Sequence, residues 1–100
     1  MGYYTTYTVV TDPILKALDK ELKEVSGYNF YQGDSQDPIK WYDYKNHMLQ
    51  ISRHWPWIHF TVHGVGEENG DVWRHHFLSG KHIRYDQEWH IPPFNEEDLK

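Results

Sequence analysis

The pattern of hydrophobic and polar positions divides the chain into alternating short elements. Tyr3 to Val10 is a run of β-forming residues and predicts a first strand. Asp12-Pro13 then offers an N-cap followed by a proline at a first helical position. Leu15, Leu18, Leu22 and Val25 recur at spacings of three and four, with Lys16, Asp19, Lys20, Lys23 and Glu24 between them. That pattern predicts an amphipathic helix laid on a sheet, stopped by Gly27.

Tyr28 to Gln32 predicts a short second strand, Gly33 to Pro38 a polar loop, and Ile39 to Tyr42 a brief return to extended chain. Asp43 is placed to cap a second helix running to about His54. Tyr44, Met48 and Ile51 would point inward, and Pro56 would end it.

From Trp57 to His63 the period changes to two: Ile58, Phe60 and Val62 share one face, and Trp57, His59, Thr61 and His63 the other. Gly64 to Gly70 is an acidic, glycine-punctuated turn in which Asn69-Gly70 signals a hairpin. Asp71 to Leu78 is the returning strand, Ser79-Gly80-Lys81 a second tight turn, and His82 to Ile91 the last strand. In that strand Ile83, Tyr85, Trp89 and Ile91 should face one way and His82, Arg84, Asp86, Glu88 and His90 the other. Pro92-Pro93 ends pairing, and Phe94 to Lys100 forms an acidic tail able to dock through Phe94 and Leu99.

The predicted order is β-α-β-α-β-β-β over a single domain, residues 1–100. Two helices on one face of a mainly antiparallel sheet make a two-layer α+β sandwich, ferredoxin-like in its first half.

Composition sharpens this picture. The chain has 100 residues with 38% hydrophobic content, of which a large part is aromatic, including five Trp and eight Tyr. Aromatic rings bury large areas, so a low mean hydropathy of -0.88 does not imply disorder. With no cysteine, disulfides, thiolate nucleophiles and cysteine zinc sites are excluded. No run approaches the ~20 apolar residues of a membrane span, and the first residues show no secretory pattern. Gly2 and Thr6 satisfy part of a myristoylation pattern, but the strand that follows would bury that end. These features predict a protein of the cytoplasm without membrane partners. The net charge of -5 argues against direct nucleic-acid binding, which needs a basic patch.

Eight histidines raise the question of catalysis or metal binding. His59-Phe60-Thr61-Val62 matches one half of the paired element by which 2H phosphoesterases hold a phosphodiester between an acid and a base. None of the other histidines is followed two residues later by Ser or Thr, so half of that machinery is missing. A metal site on His59, His63 and His76 is the weaker alternative. His59 and His63 would stand about 13 Å apart along one strand at ~3.3 Å per residue, too far to share one ion. Convergence would have to come from neighbouring strands, and a solvated sheet face is the favoured reading. No cofactor is expected.

Glu67, Glu68 and Asp71 cluster at the first hairpin tip, with Trp73 close behind. Acids on a rigid turn can meet a partner's basic groups, and the same composition also suits a solvated turn. For Trp73 alone, core packing is the favoured reading.

Over most of its length the chain resembles a family of small bacteriophage and prophage accessory proteins. The resemblance rests on Lys40-Trp41-Tyr42-Asp43, the run from Gly64 to Trp73, Phe77, Gly80-Lys81, Pro93-Phe94 and the Tyr3-Tyr4 opening. It departs from that family in its histidines, where the family is richer in Lys and Glu. The resemblance implies a ferredoxin-like fold and no carried-over activity. It also implies a context, the host cytoplasm, in which small phage proteins bind and inhibit host or anti-phage defence proteins. The expected function is therefore a non-enzymatic protein contacting such a partner through Glu67, Glu68, Asp71 and Trp73. A small histidine-dependent phosphoesterase or metal-dependent enzyme is the alternative.

Overall fold

Why the sheet forms where it does is visible in its register. The computed structural model describes residues 3–68, 70–86, 94 and 96–99. Four strands, β1 (Thr5–Asp12), β2 (His59–Gly66), β3 (Val72–Leu78) and β4 (Lys81–Asp86), pair antiparallel in chain order. Val9 pairs with Val62, and Phe60 with Phe77, so the apolar members of each alternation fall on one face. Two helices, α1 (Leu18–Ser26) and α2 (Tyr44–His54), lie between β1 and β2 in sequence. Their buried residues Leu18, Leu22, Met48 and Ile51 join Tyr7, Val9, Ile58, Phe60, Val62 and Phe77 in one core. Full burial of each large apolar side chain there contributes roughly 1.5–3 kcal/mol. The expected α+β class is the observed one: two helices against a four-stranded antiparallel sheet.

Three finer expectations differ. The strand expected at Tyr28 to Gln32 forms no ladder: Tyr31 makes an isolated bridge to Asp34, and the following loop meets β1 through bridges of Asp34 to Thr8 and of Ile39 to Thr5. Side-chain bonding explains this. The Asp19 carboxylate of α1 accepts the backbone N–H of Gln32 and of Gly33, both at 2.8 Å, which turns the chain back towards β1. Gly33 C=O then accepts from Val9 N–H, the Ser35 hydroxyl accepts from Tyr7 N–H, and Ile39 C=O accepts from Thr5 N–H. Residues 33–39 thereby cover the outer edge of β1 without becoming a strand.

The helix expected to begin at Pro13 begins at Leu18 instead. β1 continues to Asp12, and the Thr11 hydroxyl holds Leu15 N–H at 3.0 Å in a connecting turn, so Asp12 caps nothing. Gly27, in the left-handed region at φ 82, ends α1 as its sequence indicates.

Topology is the third difference. A ferredoxin-like arrangement needs a parallel strand-helix-strand unit, whereas β1 and β2 are adjacent and antiparallel, and the sheet is a meander. Residues 87–91 of the last strand's expected range, the Pro92-Pro93 stop, and Asn95 and Lys100 of the acidic tail lie outside the described residues. Within β4 the two faces are resolved: Phe77 pairs with His82 and His75 with Arg84. His82, Arg84 and Asp86 therefore share the helix-covered face, while Ile83 and Tyr85 share the open one. β4 can carry polar groups there because it is the edge strand and none of its residues belongs to the buried core.

Candidate functional site

Two regions concentrate groups that could act chemically: the first hairpin tip and the histidines flanking β3.

The tip is tied to the N-terminal segment. Tyr3 donates its hydroxyl to the Asp71 carboxylate at 2.5 Å and accepts Glu68 N–H at 3.1 Å. Tyr4 N–H donates to Glu67 Oε1 at 2.7 Å, and Tyr3 N–H donates to the Tyr42 hydroxyl at 2.6 Å. The Lys40 ammonium sits 4.8 Å from the centre of the Tyr4 ring. Glu67 and Asp71 are thus partly spent inside the molecule, while Glu68 contributes only its backbone. The Asp71 hydrogen bond raises the Tyr3 hydroxyl pKa above its ordinary value.

Trp73 does not belong with these acids as a contact residue. It is 4% exposed, stacked on Tyr44 at 4.8 Å and edge-on to Tyr7 at 5.9 Å, with the Arg84 guanidinium 4.5 Å from its ring centre. What stands exposed near the tip is Tyr4, Tyr42, Val65 and Val72. Thr6 pairs with Val65 and Val65 with Val72, which puts these three in one row on the open sheet face.

Four of the eight histidines form two hydrogen-bonded pairs, one on each side of β3. On the open face, His59 Nε2 lies 2.8 Å from His76 Nδ1, with the Thr61 hydroxyl 3.2 Å from His76 Nδ1. The Phe94 ring covers both, at 4.2 Å from His59 and 4.5 Å from His76. On the helix side, His75 Nε2 lies 2.8 Å from His82 Nδ1, and His75 Nδ1 lies 2.9 Å from the Tyr44 hydroxyl. Arg84 donates to that same hydroxyl at 3.0 Å and is itself held by Asp86 at 2.7 Å.

Those partners assign the tautomer. Arg84 can only donate, so the Tyr44 oxygen accepts from it, and the hydroxyl's own hydrogen finds an acceptor within this cluster if His75 Nδ1 is bare. His75 then carries its own hydrogen on Nε2 and donates it to a bare His82 Nδ1. Burial pushes His75 down to about 3, helped by His82 when that ring is protonated and by the positive charges of Arg84 and Lys45. Burial likewise pushes His76 down to about 4, and it lowers His59, His63 and His82.

This geometry bears on both chemical alternatives. His59, Thr61 and His76 do converge, but the rings touch each other under Phe94, so no phosphodiester fits between an acid and a base. His63 joins neither pair, and among the described residues no group of three or more ligating side chains is placed to hold a metal ion. A concavity lined by Trp57, Ser79, Lys81 and Glu96 contains no histidine.

The tight Ser79-Gly80 turn was a usable signal for the His75–His82 pair, because a two-residue turn fixes that diagonal. Tyr44 as a partner of His75 had no sequence signal. Comparison of the chain with protein families, with curated proteins and with solved structures finds no match. Among the described residues no helix is long and apolar enough to cross a membrane.

Proposed function

We propose that this is a non-enzymatic accessory protein of phage origin, acting in the host cytoplasm, that binds a host or anti-phage defence protein. The contact surface is the tip end of the sheet: Val65 and Val72 on its open face, Tyr4 and Tyr42 beside the start of β1, and Glu68 at the rim. One observation carries this reading. Exposed tyrosines and valines stand beside an acidic turn that Tyr3, Asp71, Glu67 and Tyr42 hold in place through hydrogen bonds. Tyrosine is enriched in interfaces, and a surface already ordered pays less entropy on binding. The reading needs no cofactor.

Affinity capture from host lysate tests it with three baits: the unaltered protein, Val65→Asp and Val10→Asp. Both valines are exposed on the open face, one at the tip end and one at the far end of β1. One stoichiometric partner should be retained by the unaltered protein and by Val10→Asp and lost by Val65→Asp. Loss with Val10→Asp alone, or no partner at all, would refute the reading.

A further inference from the structure

We propose that the chain Arg84–Tyr44–His75–His82 is an acid-sensitive latch, whose protonation frees edge strand β4 while the core stays folded. Three observations carry this. First, the chain is directional. Arg84 donates to Tyr44, Tyr44 to His75 Nδ1, and His75 Nε2 to His82 Nδ1, so every acceptor nitrogen in it is used. One added proton can be held only if the His75–His82 hydrogen shifts and the Tyr44 hydroxyl turns to accept from His75 Nδ1, which takes its own hydrogen away from the chain. A second proton sets two N–H groups against each other and breaks the His75–His82 link.

Second, among the described residues no free carboxylate faces the pair. His75 is surrounded by Tyr44 and Lys45 of α2, His82 and Arg84 of β4, and its own neighbour His76, while its ring stacks on Phe77 at 4.2 Å. His82 is faced by Lys45 and Phe77. The acid close to this group, Asp86, is engaged by Arg84. A new positive charge therefore finds repulsion, and burial adds to its cost.

Third, β4 can leave. Among the described residues it pairs with β3 alone, and none of its side chains is in the core. Release of such an edge is a local opening, distinct from unfolding of β1 and β2. The opposite face has its own histidine pair, His59–His76, beside Tyr85, Arg74, His63 and Phe94, with Asp12 and Glu96 near His59. The variant used in the test leaves that pair in place.

Amide hydrogen exchange read residue by residue at pH 7.5 and 5.0, corrected for intrinsic rates, tests the latch. A histidine that takes its proton only in the open state should multiply opening about thirtyfold over that interval. The amides of 81–86 should lose protection by about that factor and exchange through a smaller opening than those of β1 and β2, which respond only to global unfolding. His75→Phe, which keeps a ring against Phe77, should cut the acid effect on β4 protection well below that of the unaltered protein, leaving the contributions of His82 and His76. His82→Gln, at a half-exposed position, keeps a neutral acceptor and should weaken the acid effect without abolishing it. Protection of β4 equal to that of β1 and β2 at pH 5.0, no loss in β4, or an undiminished acid effect in either variant would overturn the proposal.

Discussion

The indole of Trp73 lies over the α-carbon of Gly64: a β-carbon built there would sit 2.1 Å from its Cε2 and Cζ2. Glycine at this position lets the ring reach Tyr7 and Tyr44 and close the core beneath the tip end of the sheet. Gly64→Ala must push the indole aside, and backbone and stacked rings surround it. Overpacking of this kind costs about 1–3 kcal/mol. Urea unfolding followed by tryptophan fluorescence should show a lower midpoint with an unchanged slope. An unaltered midpoint would mean that the ring can yield without loss.

How far the fold can be read from the sequence follows from register and turns. The alternation of Ile58, Phe60 and Val62 reads directly as a buried face, and the helix stripes of Leu18, Leu22, Met48 and Ile51 read equally well. The hairpin tip is harder. Asn69-Gly70 suggests a two-residue turn, which would pair Glu68 with Asp71, whereas Gly66 N–H donates to Asp71 C=O and Val65 pairs with Val72. Faces survive that two-residue shift but partners do not, so the His59–His76 contact stays hidden. The Tyr28 to Gln32 segment looks like a strand because it is aromatic. A carboxylate on α1, Asp19, decides otherwise, and no local pattern encodes that. The tip acids were legible as a cluster, but the tyrosines that engage them come from more than sixty residues away.

Ser35 is the pin that seals the edge of β1. It is buried, its hydroxyl accepts Tyr7 N–H at 3.0 Å, and it donates to Asp37 C=O at 3.0 Å. Ser35→Ala leaves a buried N–H and a carbonyl without this partner, a loss of about 1–3 kcal/mol. The Tyr7 amide should exchange faster in the variant while the β2–β3 amides stay protected. Equal protection at Tyr7 would show that residues 33–39 hold the edge without this hydroxyl.

Global stability should fall with acid. His75 and His76, at 2% and 4% exposure, are held neutral with values near 3 and 4, against ~6.5 in an unfolded chain. Above that unfolded value neither state binds the proton, and the contribution to stability is complete. As pH falls below it, the unfolded chain takes protons that the folded rings refuse, until pH reaches the folded values. Each ring then removes up to about 1.4 kcal/mol per pH unit. Urea midpoints at pH 7.5, 6.5 and 5.5 should decline mainly across the last step. A flat profile down to pH 5.5 would mean that both rings accept protons within the fold.

Charge at the tip should act on the rate of meeting a partner. Glu68 uses only its backbone internally, its N–H towards Tyr3 and its C=O for Asp71 N–H, so Glu68→Lys changes the field and leaves the hydrogen bonds of Tyr3 intact. Glu67→Lys also removes the acceptor of Tyr4 N–H, and its effect combines charge with a loosened N-terminal segment. With a basic partner, the double reversal should slow association about tenfold or more at low ionic strength. The difference should shrink as salt screens the rim, while dissociation, governed by Tyr42 and the valines, changes less. Stopped-flow association over a salt series, on the single and double reversals, separates these contributions. Glu68→Lys should account for the salt-dependent part, and the unfolding midpoint of that single variant should stay in place. Association as fast as that of the unaltered protein at low salt would show that the acids form only a solvated turn. Contact would then depend on the tyrosines and valines alone.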